Sequence, residues 1–324
     1  QGNAELARLL NGKIPNVRTA QDVVALLDTN LLQHVRDCVD RQVIRAGDGA
    51  SERVLGIATL VQGPGSAADW MWKLLFSRCH MRMINRGGLQ DHFVSSVNVD
   101  GCNYIGSILY TMDVPVTTAQ FGEICRRFKA LGGKLQFDLS DGKRFPKSIA
   151  GPSFLMDLFV AGGFVPRIGD AGTAQDPIAG WRSLPKDART SFLFGWRSTR
   201  DPRAAWMVRA MGRQGETDAE WAQIESDAAL QGADPVLTNR TRNLPGFGMV
   251  VLEAHPEQTD PLKKASVVLR TGAGQGHGHC DQLGIAYFAK RAQMLSDNGR
   301  RGGPTNSRSN RTHNLVEVDE RDLL

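Results

Sequence analysis

The 324-residue chain is poor in tyrosine, with only three, and its five cysteines (Cys38, Cys79, Cys102, Cys125, Cys280) include no close-spaced pair. That scatter excludes a zinc-knuckle pattern and a dense disulfide scaffold, and the odd count leaves at least one thiol free. Most of the cysteines are expected as small buried core residues. No apolar run approaches the ~18–20 residues that a membrane-spanning helix needs. There is no internal repeat and no low-complexity tract, and the basic stretches lack the aromatic interleaving or reading motif of a nucleic-acid binder. Neither nucleic acid nor a membrane is therefore an expected partner, and oligomeric state is not legible. The chain opens on Gln1 and no signal-like segment follows. It reads as an excised or processed piece, in which the lack of a leader says nothing about compartment.

What is present is a globular balance. Hydrophobic residues make up 41% and charged residues 23%, with a formal net charge of +5, which argues against long disorder. The length suits two domains. Charge is unevenly placed: residues 263–324 carry ten Lys/Arg against six acids, and residues 298–312 hold four arginines (Arg300, Arg301, Arg308, Arg311) and no acid. Such a field attracts polyanions; a solvated arginine-rich loop is the plain alternative.

Up to about residue 240 the pattern is helical. Thr19-Ala20-Gln21-Asp22 caps an expected helix with Val24, Leu27, Leu31, Val35 and Cys38 at helical spacing. Ser51 starts a second, and residues 67–85 form a third, stopped by Gly87-Gly88. Thr118 precedes Phe121, Ile124, Cys125 and Phe128 in a helix ended by Gly132-Gly133. Asp201-Pro202 reads as an N-cap with proline at the first helical position, and Thr217-Asp218-Ala219-Glu220 as a capping box. After Asn243-Leu244-Pro245-Gly246 the pattern changes. Residues 248–254, 265–270, 282–289, 293–296 and 314–319 are short, β-branched and aromatic, and separated by turn residues, so they predict an antiparallel sheet. The last strand lies close to Leu324, so the sheet is expected to continue beyond it.

Chemistry concentrates in two places. In Gly274-Gln275-Gly276-His277-Gly278-His279-Cys280-Asp281, an extended chain points His277 and His279 the same way, and the alternating glycines permit sharp bends. Asp297-Asn298-Gly299 follows the next expected strand and His313-Asn314 opens the one after. Strand ends can gather His279, Asp297 and His313; two imidazoles and a carboxylate suit zinc, with bonds of about 2.0–2.2 Å. Two loop histidines and a core one remain the alternative. The second place is Asp100-Gly101-Cys102-Asn103-Tyr104-Ile105-Gly106-Ser107-Ile108-Leu109-Tyr110, which holds two of the three tyrosines just after a turn and at a helix start. Either tyrosine can instead be an ordinary core or rim residue. His80 and His92 are spare candidates read as packing residues, and most of the six tryptophans as core.

Taken together, these motifs resemble the heparinase II/III-like polysaccharide lyases. The likeness runs from about residue 95 to 324, with its specific motifs at 100–110 and 274–320, and Asp201-Pro202-Arg203 adds a weaker match. The resemblance implies an α+β multidomain chain: an incomplete (α/α) toroid at 1–242, then the start of an antiparallel β-sandwich at 243–324, truncated at its C-terminus. It implies β-elimination on an acidic, uronic-acid-containing polysaccharide, with Tyr110 and His277 as catalytic residues. One zinc ion, mainly structural, is implied at His279, Asp297 and His313. Arg53, Tyr104, Arg308 and Arg311 are the expected substrate contacts, and a periplasmic or secreted location follows from the family alone.

The residue types suit that reaction. Removing the C5 proton next to a uronate carboxylate builds enolate-like charge that must be stabilised as it develops. A free tyrosine ionises near pH ~10, and nearby cations favour its phenolate; histidine titrates near ~6.5. Two departures from the family stand out. Relatives carry an Asn, often Asn-His, about fifty residues before the tyrosine motif, whereas this chain has Asp48-Gly49-Ala50-Ser51-Glu52-Arg53, leaving Arg53, Gln1 or Asn3 as substitutes. Ile105 stands where relatives often have Glu. Two other functions fit the same residues: a catalytically impaired glycan-binding homologue, and a zinc hydrolase in which His279, Asp297 and His313 hold an activated water.

Overall fold

The computed structural model describes residues 4–5, 8–9, 11, 13–14, 16–34, 37, 41, 50–62, 79–80, 85–86, 93–94, 97–103, 106–135, 137–171, 184, 187–272, 278–279, 281–295, 297 and 313–315. The chain divides into two compact units, one built from 1–92 with 126–136, the other from 93–125 with 137–324.

In the first unit, helix α1 (Ala20–Leu27) starts at a full capping box: the Thr19 hydroxyl accepts from Asp22 N, and the Asp22 carboxylate accepts from Thr19 N and Arg18 N. These bonds satisfy N–H groups a helix start leaves orphaned and hold the Asp22 carboxyl below its ordinary range. A π-helical turn, Asp28–Leu32, continues it. Helix α2 covers Ala50–Gln62. Strands β1 (Cys79–His80) and β2 (Asn85–Arg86) pair antiparallel, which corrects the helix expected over 67–85 at these positions.

Helix α3 (Ile108–Ala130) is longer than the sequence suggests, because Thr118 does not start a helix but lies inside one, past an internal Pro115. The Thr117 hydroxyl donates back to the Asp113 carbonyl at 3.0 Å, the local alternative to capping open to a mid-helix threonine. The predicted stop holds. Gly133 N donates to Phe128 O and Gly132 N to Lys129 O, the paired bonds of a Schellman ending, and Gly132 takes the left-handed φ of +88° that this ending requires.

Helices α4 (Pro146–Asp157), α5 (Ala188–Thr199), α6 (Pro202–Ala210) and α7 (Asp218–Gln231) follow in the second unit. Asp201 caps α6 through Arg203 N, with Pro202 at the first helical position. Thr217 caps α7 through Glu220 N, but the Glu220 carboxylate does not close the box; both its oxygens accept from Arg197 instead. A charge-assisted fork outweighs one local bond to an N–H.

Five strands then form one antiparallel sheet in sequence order: β3 (Arg242–Leu244), β4 (Met249–Ala254), β5 (Ala265–Arg270), β6 (Ile285–Ala289) and β7 (Ala292–Leu295). Strand β6 begins later than residue 282 because Leu283 adopts φ +60° and Gly284 N closes a turn onto the Asp281 carbonyl. Of the expected strand 314–319, residues 316–319 lie outside the described residues; the Asn314 carbonyl accepts from Ile285 N at the head of β6. Burial alternates along the strands. Met249, Val251, Val268, Ala286 and Phe288 point into a core shared with Phe154, Leu155, Phe159 and Val160. Leu252, Val267, Tyr287 and Leu295 form a cross-strand row on the opposite face.

A buried polar seam reinforces that core. Side chains cap the backbone carbonyls at the end of α4 and just past it. Asn239 Nδ2 donates to Met156 O and Phe159 O, and Arg242 to Asp157 O and Phe159 O, while Arg242 also pairs with Glu253 on β4 at 3.1 Å. Glu253 in turn accepts from Ser266 of β5, whose hydroxyl takes Ala161 N at 2.6 Å. Cations at a helix C-terminus are favoured by its dipole. Phe288→Ala should therefore cost about 3–5 kcal/mol in urea unfolding, the range for emptying a buried phenyl site.

Elsewhere Arg189 and Glu216 form a buried ion pair at 2.9 Å. Burial by itself raises the Glu216 carboxyl, but hydrogen bonds from Arg189 and Gln214 N bring it down to about 2. A carboxyl lowered on folding stabilises above its unfolded value, near ~4.3, and that contribution fades as pH falls from there toward about 2. Glu216→Gln should lower stability at neutral pH and flatten the acid limb of the unfolding midpoint between about pH 5 and 2.

Candidate active site

The tyrosine segment is held by its own acid and glycine. Residues 98–101 form a turn in which Gly101 N donates to Asn98 O at 2.9 Å. The Asp100 carboxylate accepts from Phe247 N at 2.8 Å, and Asn98 Nδ2 donates to Gly246 O at 2.6 Å, so this turn docks on the β3–β4 loop. Burial raises the Asp100 carboxyl, against those N–H bonds. Gly101 has φ +79°, and a Cβ there would stand 2.2 Å from Gly151 N on α4; no other residue type fits. Cys102 is buried, and its thiol is pushed up to about 12, chiefly by desolvation.

Beyond the turn, Asn103 accepts from the Thr111 hydroxyl at 3.0 Å and donates to the Tyr110 carbonyl. Ile108 N, an otherwise orphaned helix-start donor, finds the Ile168 carbonyl at 3.2 Å. Tyr110 thus sits at the third residue of a tightly held helix, with 38% of its surface exposed. The acid and glycine of the motif are structural; among its described residues Leu109 and Tyr110 are the exposed ones.

The histidine cluster lies at the start of β6. His279 Nε2 is 3.1 Å from Asp170 Oδ1, and its Nδ1 is buried with no hydrogen-bond partner among the described residues. His313 Nδ1 is 2.6 Å from Asp297 Oδ2, and the two imidazole rings are 5.2 Å apart. Asp281 is buried beside them, with Arg270 Nε 3.6 Å from its Oδ1. Burial raises the Asp281 carboxyl; Arg270, His313 and His279 oppose the shift and Asp297 adds to it. Arg270 is anchored on Phe247 O and Gly248 O and lies over the Phe247 ring. The same β3–β4 loop therefore receives Asp100 from one side and Arg270 from the other. Among the described residues no three His, Cys, Asp or Glu side chains surround one point as a metal requires; Asp297 and His313 meet each other directly.

Of the expected site residues, the structure brings His279, Asp297 and His313 into one cluster and places Tyr110 at the head of α3. Arg53 lies half-buried on α2, in the first unit. His277, Tyr104, Arg308 and Arg311 lie outside the described residues, and with them the pairing of Tyr110 with His277. Sequence reasoning missed Asp170, Asn103 and Arg270. Asn103 lay inside the quoted motif, whereas Gly169-Asp170-Ala171 reads only as a turn. Asp100→Ala should cost about 1–3 kcal/mol by leaving buried N–H groups unpaired, and Gly101→Ala more, since left-handed strain and a backbone clash add; denaturant midpoints decide both.

No protein-family model matches the sequence, and no curated protein matches it. Solved structures do. The chain is similar to a heparan sulfate lyase, HepC, from Pedobacter heparinus, with a TM-score of 0.62 and 13% identity over 99% of this chain and 45% of that one. It is also similar to a crystal structure of heparinase III, with a TM-score of 0.60 and 13% identity over 99% and 46%. A heparinase III with methylated lysines gives 0.61 and 11% over 99% and 44%. The chain spans less than half the length of each of these structures, and over that span it shares the fold of the heparinase III and heparan sulfate lyases.

Proposed function

We propose that this chain is part of a polysaccharide lyase that cleaves an acidic, uronic-acid-containing polymer by β-elimination. The carrying observation is the fold likeness to heparinase III-type lyases over 99% of the chain, and the presentation of Tyr110 at a helix start is in keeping with it. In the reaction the C5 proton beside the uronate carboxylate is removed, and the C5–H electron pair becomes the C4=C5 double bond. The C4–O bond breaks with its electrons on the leaving oxygen, which takes up a proton. The Tyr110 phenolate accepts the C5 proton and returns it to that oxygen; His277 is its acid–base partner. The N-terminal end of α3 contributes positive partial charge where negative charge develops.

The donor types of the cluster are those that take zinc, although among the described residues no three of them yet surround one point. His279 offers a buried nitrogen without a partner among the described residues, with His313 and Asp297 beside it. These three would hold the ion, which when bound supplies a fixed positive charge that pins the loop running on from His277. Arg53, Tyr104, Arg308 and Arg311 are assigned to the anionic chain, where arginine can fork onto carboxylate or sulfate. The toroid and sandwich divided at 242/243, and a periplasmic or secreted location, belong to the same reading; among the described residues no helix is long and apolar enough to cross a membrane.

Full-length protein incubated with a panel of uronate polymers, heparan sulfate first, should yield unsaturated sugar by ultraviolet absorbance. Tyr110→Phe should lower turnover about 10²–10⁴-fold with little change in folding. Products without a double bond, or polymer binding without turnover in every case, would sink the proposal.

A further inference from the structure

The acid that the sequence does not point to, Asp170, touches the ring of His279. A carboxylate can only accept, so at 3.1 Å it calls for a proton on His279 Nε2. The other neutral tautomer would set an Nε2 lone pair against the Asp170 oxygen. Nδ1 has no hydrogen-bond partner among the described residues in a side chain with no exposed surface. With Nε2 turned to Asp170, Nδ1 is the ring nitrogen left for another partner. A buried lone pair without a donor is what a cation completes.

Asp170 is itself fixed. Ile168 and Ala171 are buried, Gly169 turns the chain at φ +63°, and Ala171 N closes onto Gly169 O at 2.6 Å. The Ile168 carbonyl two residues earlier holds Ile108 N at the first turn of the tyrosine helix. One short turn therefore touches both the start of α3 and the ring of His279.

We propose that Asp170 is a positioning residue that locks His279 with its proton on Nε2, so that a divalent cation is taken through Nδ1. The inference rests on the metal part of the functional reading and not on lyase activity.

Two measurements on the full-length protein test it. In the metal-stripped protein, ¹⁵N-edited imidazole spectra, with His279 assigned by loss in His279→Gln, should put the proton on Nε2. Zinc competition against a chromophoric chelator should give affinity ~10–100-fold weaker in Asp170→Ala, the usual loss for an outer-shell carboxylate, while Asp170→Asn, which keeps an acceptor oxygen, recovers most of it. A proton on Nδ1 overturns the proposal, as does wild-type protein that takes up no zinc. Unchanged affinity in Asp170→Ala overturns it too, as does an equal loss in both variants with a matching fall in metal-free thermal midpoint. Absent lyase activity, with tautomer and affinities as expected, refutes the functional reading and leaves this inference standing.

Discussion

The five-stranded sheet has one apolar face to bury, and in the second unit it buries it on α4 and the helices packed with it. Phe288, Met249 and Val268 share a cluster with Phe154, Leu155 and Phe159, and Phe154 meets Phe247 edge-on at 5.7 Å. Once that core closes, several strong polar groups lose water, and each must find a partner. Asn239 and Arg242 take up the helix-end carbonyls, Glu253 takes up Arg242 and Ser266, and Asp100 takes up the loop N–H groups between β3 and β4. The candidate site is built on that seam.

This explains why residues from distant parts of the chain act together. The β3–β4 loop is gripped by Asp100 and Asn98, just ahead of the tyrosine helix, and by Arg270 at the end of β5. Arg270 also pairs with Asp281, which lies beside the histidines. A glycine at 101 lets the first of these turns lie against α4 backbone, and Gly248, at φ +75°, lets the loop lie against Gly272. Neither approach tolerates a side chain.

Much of the local architecture was legible in the sequence. Strand alternation after residue 243, the caps at Thr19 and Asp201, and the Gly132-Gly133 stop are signals carried by a few neighbouring residues, and the structure follows them. The length of α3 was not, because Thr118 has the look of a second cap and Pro115 the look of a break, while burial of Ile108, Met112 and Val116 carries the helix begun near Tyr110 across both. Likewise the α7 capping box is half-made, since Arg197 competes for the Glu220 carboxylate from another helix.

The sequence by itself determined which chemistry is on hand: two histidines and an aspartate spaced to meet at strand ends, a tyrosine at a helix start, and a basic C-terminal stretch. Spacing suffices for these because strand period and helix start are local properties. Only the tertiary structure decided the partners. Asp170 reaches His279 across 109 positions of chain, and Asp100 reaches Phe247 across 147. Such pairings exist because burial removes water from both groups at once, a condition that no local pattern encodes.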